Sequence, residues 1–301
     1  MPHSLRLVSA PRPPVVSRPW GFQIAGLSVQ IVGDGPRFHP AGFAPTLPPT
    51  LTLHATAVTG GERLRPEGQA AAEQDSWAAF CGDGQVTLLG KSGYADPAEV
   101  IRIDLSDENS GGEVTEGTLR YRPETGVVLL TFPLDQLLVI HLLASRQGLV
   151  IHGAAVGDGE RAVLLIGPSG AGKTTTARAA ADAGLAVLSD ERSVVRWLPD
   201  QGGGFRIAGT PWYGDGSFFD GRFRKLVAIC ALSQSDHDAL EPLSPARMLA
   251  ELYRCHFPPV WSERAAAATL ATAETLVGSV PLYRLHNRRG GGAVELVRSL
   301  L

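Results

Sequence analysis

The 301-residue sequence is 44% hydrophobic and 19% charged, which predicts a buried core and either one large domain or two of ordinary size. Its net charge of -3 and pI of about 6.2 argue against a protein that coats nucleic acid, since such a protein is strongly basic. No apolar run approaches the roughly 20 residues that span a membrane, and the first residues lack an apolar signal segment. The three cysteines lack metal-type spacing. We therefore expect reduced thiols and a cytoplasmic protein without nucleic-acid or membrane partners.

The first third of the chain has the pattern of an antiparallel β region. Strand-like runs occur within residues 21–35, 51–61, 77–93 and 117–132, where apolar residues alternate or β-formers dominate. Residues 82–84 (Gly-Asp-Gly) and 124–126 (Glu-Thr-Gly) predict hairpin turns. The proline-rich residues 36–49 predict a long connection. We expect a mostly antiparallel N-terminal β domain over residues 1–132, available for partner recognition or for a homo-oligomer interface.

Residues 133–301 predict a second domain of the α/β class. A stretch with helical spacing at 133–147 precedes apolar strands at 149–156 and 161–167, a glycine-rich loop, an alanine-rich helix at 173–183 and an apolar strand at 185–191. An apolar strand that leads through a glycine-rich loop into a helix is typical of nucleotide-binding sheets. Helical stretches at 245–256 and 263–278 and a strand at 280–285 complete the domain.

Residues 167–174 read Gly-Pro-Ser-Gly-Ala-Gly-Lys-Thr and match G-x-x-x-x-G-K-[ST], the P-loop pattern. Its glycines bring backbone N–H groups against phosphate oxygens, and its lysine supplies charge to the β- and γ-phosphates. The hydroxyl of the next residue, here Thr174, ligates magnesium. The pattern therefore predicts a site for ATP and Mg²⁺. The predicted nucleotide-binding residues are Gly167, Ser169, Gly170, Ala171, Gly172, Lys173, Thr174 and Thr175.

An acidic pair and a histidine flank this loop in the sequence. Asp190 and Glu191 follow an apolar strand, where carboxylates can hold magnesium or accept a proton from a hydroxyl. The alternative is a turn cap paired with Arg192 or Arg196. His152 lies in the strand before the loop, and a lone histidine there is more often a hydrogen-bonded core residue than a catalyst.

Five segments over residues 149–256 carry a resemblance to a known family: IHGAAV, GPSGAGKTT, VLSDE, GTPWYG and LVAICAL, in this order. They resemble the catalytic domain of the HPr kinase/phosphorylase family, in particular the HPr-kinase-related proteins found beside genes for ribosomally made peptides, such as lasso-peptide serine kinases. The resemblance implies an HPr kinase C-terminal-like P-loop domain. It also implies ATP- and Mg²⁺-dependent phosphorylation of a serine hydroxyl on a protein or peptide.

The resemblance also implies roles for single residues. His152 matches the active-site histidine, Lys173 acts on the transferred phosphate, Asp190 deprotonates the acceptor serine and Glu191 lies near the metal. Most family members have Asp where this chain has Glu191, which changes the metal geometry. Residues 209–214 match a mobile glycine-containing stretch. The sequence beyond them lacks the segment linked with the reverse reaction, so we predict a kinase without dephosphorylation activity.

Two other functions are compatible with the same residues. One is a kinase that acts on a small molecule, such as free serine or a carboxylate metabolite. The other is a regulatory or assembly protein that binds a nucleotide without transferring phosphate. The sequence does not separate the first of these from a protein kinase, because the size of the acceptor site is a tertiary property.

Overall fold

The computed structural model describes residues 20–33, 47–92, 98–106, 113–125, 132–288 and 292–301. Most of the predicted proline-rich connection at 36–49, and the strand predicted after residue 126, lie outside the described residues. Within the described ranges, no helix has both the length and the hydropathy that crossing a membrane requires.

The first sheet contains eight strands from the N-terminal third. They are β1 (Trp20–Ile24), β2 (Leu27–Gly33), β3 (Leu51–Ala57), β4 (Ala72–Glu73), β5 (Trp77–Gly82), β6 (Gln85–Ser92), β7 (Ala98–Ser106) and β8 (Glu116–Tyr121). Their order in the sheet is β1-β2-β3-β8-β7-β6-β5-β4, with only β2–β3 and β3–β8 parallel among these pairs. The sheet is thus mostly antiparallel, as predicted. Asp83 and Gly84 connect β5 to β6 with φ of 50° and 69°, which confirms the hairpin turn predicted there.

The second sheet contains the remaining described strands. They are β9 (Gly148–Gly157), β10 (Arg161–Ile166), β11 (Ala186–Ser189), β12 (Arg192–Trp197), β13 (Phe205–Gly209), β14 (Arg224–Ser235), β15 (Ala239–Pro242) and β16 (Leu282–Arg288). β10 pairs with β9 on one edge and, in parallel, with β14 on the other. The pairs β9–β12, β12–β13 and β13–β14 close a circuit through these strands. Since both edges of β10 are occupied, β11 pairs with β9 instead.

Within the described ranges, five α-helices accompany the sheets. They are α1 (Leu134–Ala144), α2 (Lys173–Asp182), α3 (Pro245–Cys255), α4 (Glu263–Ser279) and α5 (Val294–Leu300). Short 3-10 helices cover Pro123–Thr125 and Pro199–Gln201.

Helix α1 lies between the two sheets and is buried along its whole length. It packs against β6 of the first sheet and β9 of the second, as expected for a helix that is apolar on all faces. One apolar cluster contains Leu53 of the first sheet, Leu138 of α1 and Val150 of the second sheet. The apolar core is therefore continuous across the domain boundary that the sequence predicts between residues 132 and 133. The division into two domains stays a prediction.

Candidate functional site

The glycine-rich loop at residues 167–172, called here the phosphate loop, connects the end of β10 to the start of α2. Gly170 and Gly172 have φ of 80° and 103°, a region that residues with a Cβ rarely adopt. A Cβ on Gly172 would also lie 2.9 Å from Nδ2 of Asn287. Within the described part of the chain, the amides of Ser169, Gly170 and Gly172 donate to no protein acceptor. These N–H groups are available to an anion at the helix N-terminus.

Lys173 folds back over the phosphate loop. Its Nζ donates hydrogen bonds to the carbonyl oxygens of Gly167 at 2.8 Å and Pro168 at 3.1 Å. The residue is 7% exposed, and burial lowers the pKa of its ammonium group while the negative charge of Glu191 opposes that shift. A desolvated cation held beside unpaired amides attracts phosphate more strongly than one in water.

Asp190 follows β11 and is fully buried. Its Oδ1 accepts the Gly214 amide at 3.0 Å and its Oδ2 accepts the Gly216 amide at 2.6 Å. The carboxylate thereby holds residues 210–223, called here the anchored loop, against the end of β11. The anchored loop includes residues 210–214 of the stretch 209–214 that the resemblance matches to a mobile segment. In this arrangement Asp190 positions a loop, and its role as a base stays a prediction.

The second carboxylate of the pair faces a histidine. Glu191 Oε1 lies 3.3 Å from Nδ1 of His152 and 4.0 Å from Nη1 of Arg192, and the side chains of His152 and Glu191 are both 29% exposed. His152 stands opposite Arg192 in the β9–β12 register. Burial, followed by repulsion from Lys173, lowers the pKa of His152, and attraction by Glu191 opposes the shift. The imidazole is therefore neutral near pH 7 and can accept a proton.

A cavity of about 760 Å³ opens beside the phosphate loop. Residues 167–171 form one wall, and His152, Glu251, Arg254 and Arg284 contribute to the others. Glu251 bridges the two arginines, with its Oε1 2.9 Å from Nη2 of Arg284 and its Oε2 3.5 Å from Nη1 of Arg254. The chemistry of the site therefore includes residues from α3 and β16, two elements that are distant from the loop in the sequence.

The anchored loop is also fixed from its other side. Trp212 is buried, and its Nε1 donates to Oδ2 of Asp135 in α1 at 2.9 Å. Burial raises the pKa of Asp135 to about 6. Tyr213 and Phe219 stack at 5.7 Å between ring centroids on the exposed side of the loop. One face of the loop thus joins the core and the other faces solvent.

Comparison with known proteins places the chain in a family. The model of the family described as "SynChlorMet cassette protein ScmC" matches residues 123–297, which is more than half of the chain and includes every site residue above. The chain belongs to the ScmC family. Among solved structures it is similar to the Hpr(Ser) kinase/phosphatase from Coxiella burnetii, with 12% sequence identity and a TM-score of 0.25, over 50% of this chain and 87% of that chain. That likeness is too weak to carry an argument. No curated protein matches the chain.

The structure brings together most of the site residues predicted for this ScmC-family chain. His152, Lys173 and Glu191 are close enough to influence one another's charge, and Thr174 and Thr175 lie in the first turn of α2. Asp190 lies beside them but points its oxygens into the anchored loop. Sequence reasoning missed Glu251, Arg254 and Arg284. No local motif surrounds these three residues, so only the fold reveals them.

Proposed function

We propose that this chain is an ATP- and Mg²⁺-dependent kinase that phosphorylates a serine hydroxyl of a protein or peptide. The observation that carries the proposal is the phosphate loop itself. Three amides without an acceptor among the described residues and the buried Lys173 ammonium lie next to the N-terminus of α2, and such groups bind the phosphates of a nucleotide. The resemblance of the five sequence segments to HPr-type kinases supports the choice of serine as the acceptor.

The residues present fit a magnesium nucleotide. No group of three or more His, Cys, Asp or Glu side chains forms a metal cage among the described residues, and magnesium at nucleotide sites typically uses one or two protein ligands together with phosphates and water. We assign Thr174 and Glu191 as those ligands. When bound, the nucleotide supplies the γ-phosphoryl group and the metal neutralises its charge.

The acceptor is assigned to the 760 Å³ cavity. Lys173, which serves the β- and γ-phosphates in this motif, contacts the carbonyls of Gly167 and Pro168, so the first half of the loop is the γ-phosphate side. The cavity opens on that half and contains His152. A hydroxyl bound there lies beside both the transferred group and a proton acceptor.

Proton removal is assigned to the pair of His152 and Glu191 while the anchored loop is closed. A neutral imidazole that donates Nδ1–H to Glu191 presents Nε2 as an acceptor for the serine proton. Asp190 can serve as the base only after the Gly214 and Gly216 amides leave its oxygens. The predicted role of Asp190 therefore belongs to a second arrangement in which the loop has moved.

The test is phosphate transfer from Mg-ATP to a serine-containing peptide or protein, followed by mass spectrometry. Lys173→Ala removes a charge at the reacting phosphate, and we expect transfer to fall by roughly a thousandfold. Lys225→Ala is the matched control. Lys225 is an exposed lysine of β14 that lies opposite Arg161 in the strand register, at the end of β10 far from the loop. Its turnover should equal that of the wild type.

Undiminished transfer by Lys173→Ala would contradict the proposal. Transfer to free serine but not to a peptide would replace it with the small-molecule kinase. Tight binding of Mg-ATP without transfer to any hydroxyl would favour the regulatory protein.

A further inference from the structure

A second cavity, of about 380 Å³, borders the later part of the phosphate loop, next to the acceptor cavity. Residues 170–172 and Thr175 form one wall, and Gln234, Asn287 and Arg288 form the other. Gln234, Gly170 and Ala171 line both cavities, and Nε2 of Gln234 donates to the Gly170 carbonyl at 2.7 Å. The two cavities therefore meet at Gly170, Ala171 and Gln234 and differ in the remaining residues that line them.

The direction of the phosphate loop indicates which of the two cavities lies on the γ-phosphate side. Lys173 contacts the carbonyls at the start of the loop, which makes that end the γ-phosphate side. The later part of the loop and the first helical turn then face the α-phosphate, to which the sugar is attached. The second cavity is lined by that later part of the loop and by Thr175. A triphosphate bound along the loop would therefore have its α-phosphate at this cavity.

The cavity also contains a buried polar group without a partner. Asn287 is 6% exposed, and its Nδ2 donates to Oγ1 of Thr176 at 3.2 Å. Its Oδ1 is buried and accepts no hydrogen bond from the described residues. A buried acceptor left unpaired costs free energy. A small rotation of the Asn287 side chain would offer Oδ1 to a ligand donor in the adjoining cavity, such as a base amino group or a sugar hydroxyl.

Arg288 supplies a flat cation at the mouth of the same cavity. Its side chain is 64% exposed, and its Nη2 lies 3.5 Å from Oδ2 of Asp238. Its backbone amide donates to Oδ1 of the same aspartate at 2.8 Å, which fixes the residue at the end of β16. A guanidinium held in this way can stack on an aromatic base.

We infer that the cavity lined by Thr175, Asn287 and Arg288 binds the nucleoside part, that is the base and the sugar, of the nucleoside triphosphate. The inference rests on the proposed function, since it requires the triphosphate to lie on the loop. It adds the orientation of the nucleotide, with its base on the side of β16 and its γ-phosphate on the side of α3. It also assigns ligand contacts to Asn287 and Arg288, which no sequence motif marks.

The experiment compares calorimetric binding of Mg-ATP with binding of magnesium tripolyphosphate, which has the phosphates but no nucleoside. In Arg288→Ala we expect the affinity for Mg-ATP to fall about tenfold and the affinity for tripolyphosphate to stay within twofold of the wild type. Asn287→Ala, which removes the other proposed contact to the nucleoside, should produce the same selective loss. The matched control is Arg161→Ala, because Arg161 is an exposed arginine paired with Asp158 at the far end of β10.

Three results overturn this subsite while leaving the phosphate site intact. They are equal wild-type affinity for Mg-ATP and tripolyphosphate, equal losses for both ligands in Arg288→Ala, and unchanged Mg-ATP affinity in both cavity variants. A wild-type protein that binds neither ligand overturns the proposed function itself, and this subsite with it.

Discussion

The phosphate loop and the anchored loop are both rich in glycine and both border the site, but opposite charges hold them. In the phosphate loop a cation, Lys173, binds backbone carbonyls, and three amides have no partner in the part of the chain that the structure describes. In the anchored loop an anion, Asp190, binds the amides of Gly214 and Gly216. The first loop is the one we propose to bind an external anion, whereas the amides of the second already donate to a carboxylate of the protein.

The comparison teaches that a glycine-rich stretch does not by itself identify a binding loop. Glycine permits N–H groups to converge, and the nearest charged side chain decides whether they converge on a ligand or on the protein. Lys173 leaves the phosphate loop electropositive. Asp190 neutralises the anchored loop and ties it to the end of β11.

The largest expected effect comes from removing the internal anion. In Asp190→Ala the Gly214 and Gly216 amides lose a charged acceptor, and since each such bond stabilises by roughly 1.5–3 kcal/mol, we expect the free energy of unfolding to fall by about 4 kcal/mol. Urea denaturation measures the loss. The emission of Trp212, buried at 6% exposure, should shift to the red as the loop detaches.

The control for that variant is Asp215→Ala, which changes an exposed aspartate in the same loop. It should leave both the unfolding free energy and the emission unchanged. Equal stability of Asp190→Ala and Asp215→Ala would show that the anchored loop does not depend on its internal carboxylate.

A second carboxylate, that of Asp135, also holds the anchored loop by accepting a hydrogen bond from Trp212. Its titration predicts that the stability of the protein depends on pH. Burial raises the folded-state pKa of Asp135 to about 6, above its value near 4 in the unfolded chain. The folded protein therefore binds the proton more tightly, and ionisation destabilises it as pH rises from about 4 to about 6. Over this window the wild type should lose about 3 kcal/mol of stability relative to Asp135→Asn.

Urea denaturation of both proteins at pH 4 and pH 7 checks this, because the titration of all other groups cancels in the difference. The asparagine keeps one oxygen for either the Trp212 ring N–H or the Gln136 amide, both of which the aspartate accepts. Parallel pH profiles for the two proteins would contradict the assignment.

The smallest expected effect concerns the backbone of the phosphate loop. In Gly172→Ala the methyl group meets Nδ2 of Asn287 at 2.9 Å with φ at 103°. A left-handed conformation costs a residue with a Cβ about 1–2 kcal/mol, so the affinity for Mg-ATP should fall roughly five- to thirtyfold. Calorimetry measures it, and Gly159→Ala, where an added Cβ meets no neighbouring atom, is the control. Unchanged affinity in Gly172→Ala would mean that the loop shape does not determine binding.

Local patterns allowed several elements to be predicted from the sequence. The apolar strand at 161–167 corresponds to β10 (Arg161–Ile166), and the helical spacing at 133–147 and 173–183 corresponds to α1 (Leu134–Ala144) and α2 (Lys173–Asp182). The hairpin at Asp83 and Gly84 followed from its turn residues. Each of these depends on neighbours within a few positions, so periodicity and turn chemistry suffice.

The glycine-rich loop between β10 and α2 was predictable from the sequence, because its glycines, lysine and hydroxyl lie within eight residues and the flanking strand and helix follow from local patterns. The fold, by contrast, sets which carboxylate of the acidic pair contacts His152 and which is enclosed. Asp190 and Glu191 are adjacent in the chain, but backbone direction sends one side chain to the amides of residues 214 and 216 and the other to His152. Likewise, Arg284 and Asn287 reach the loop only because β16 pairs with β14, which in turn pairs with β10. Contacts across a hundred residues depend on sheet order, which no short motif encodes.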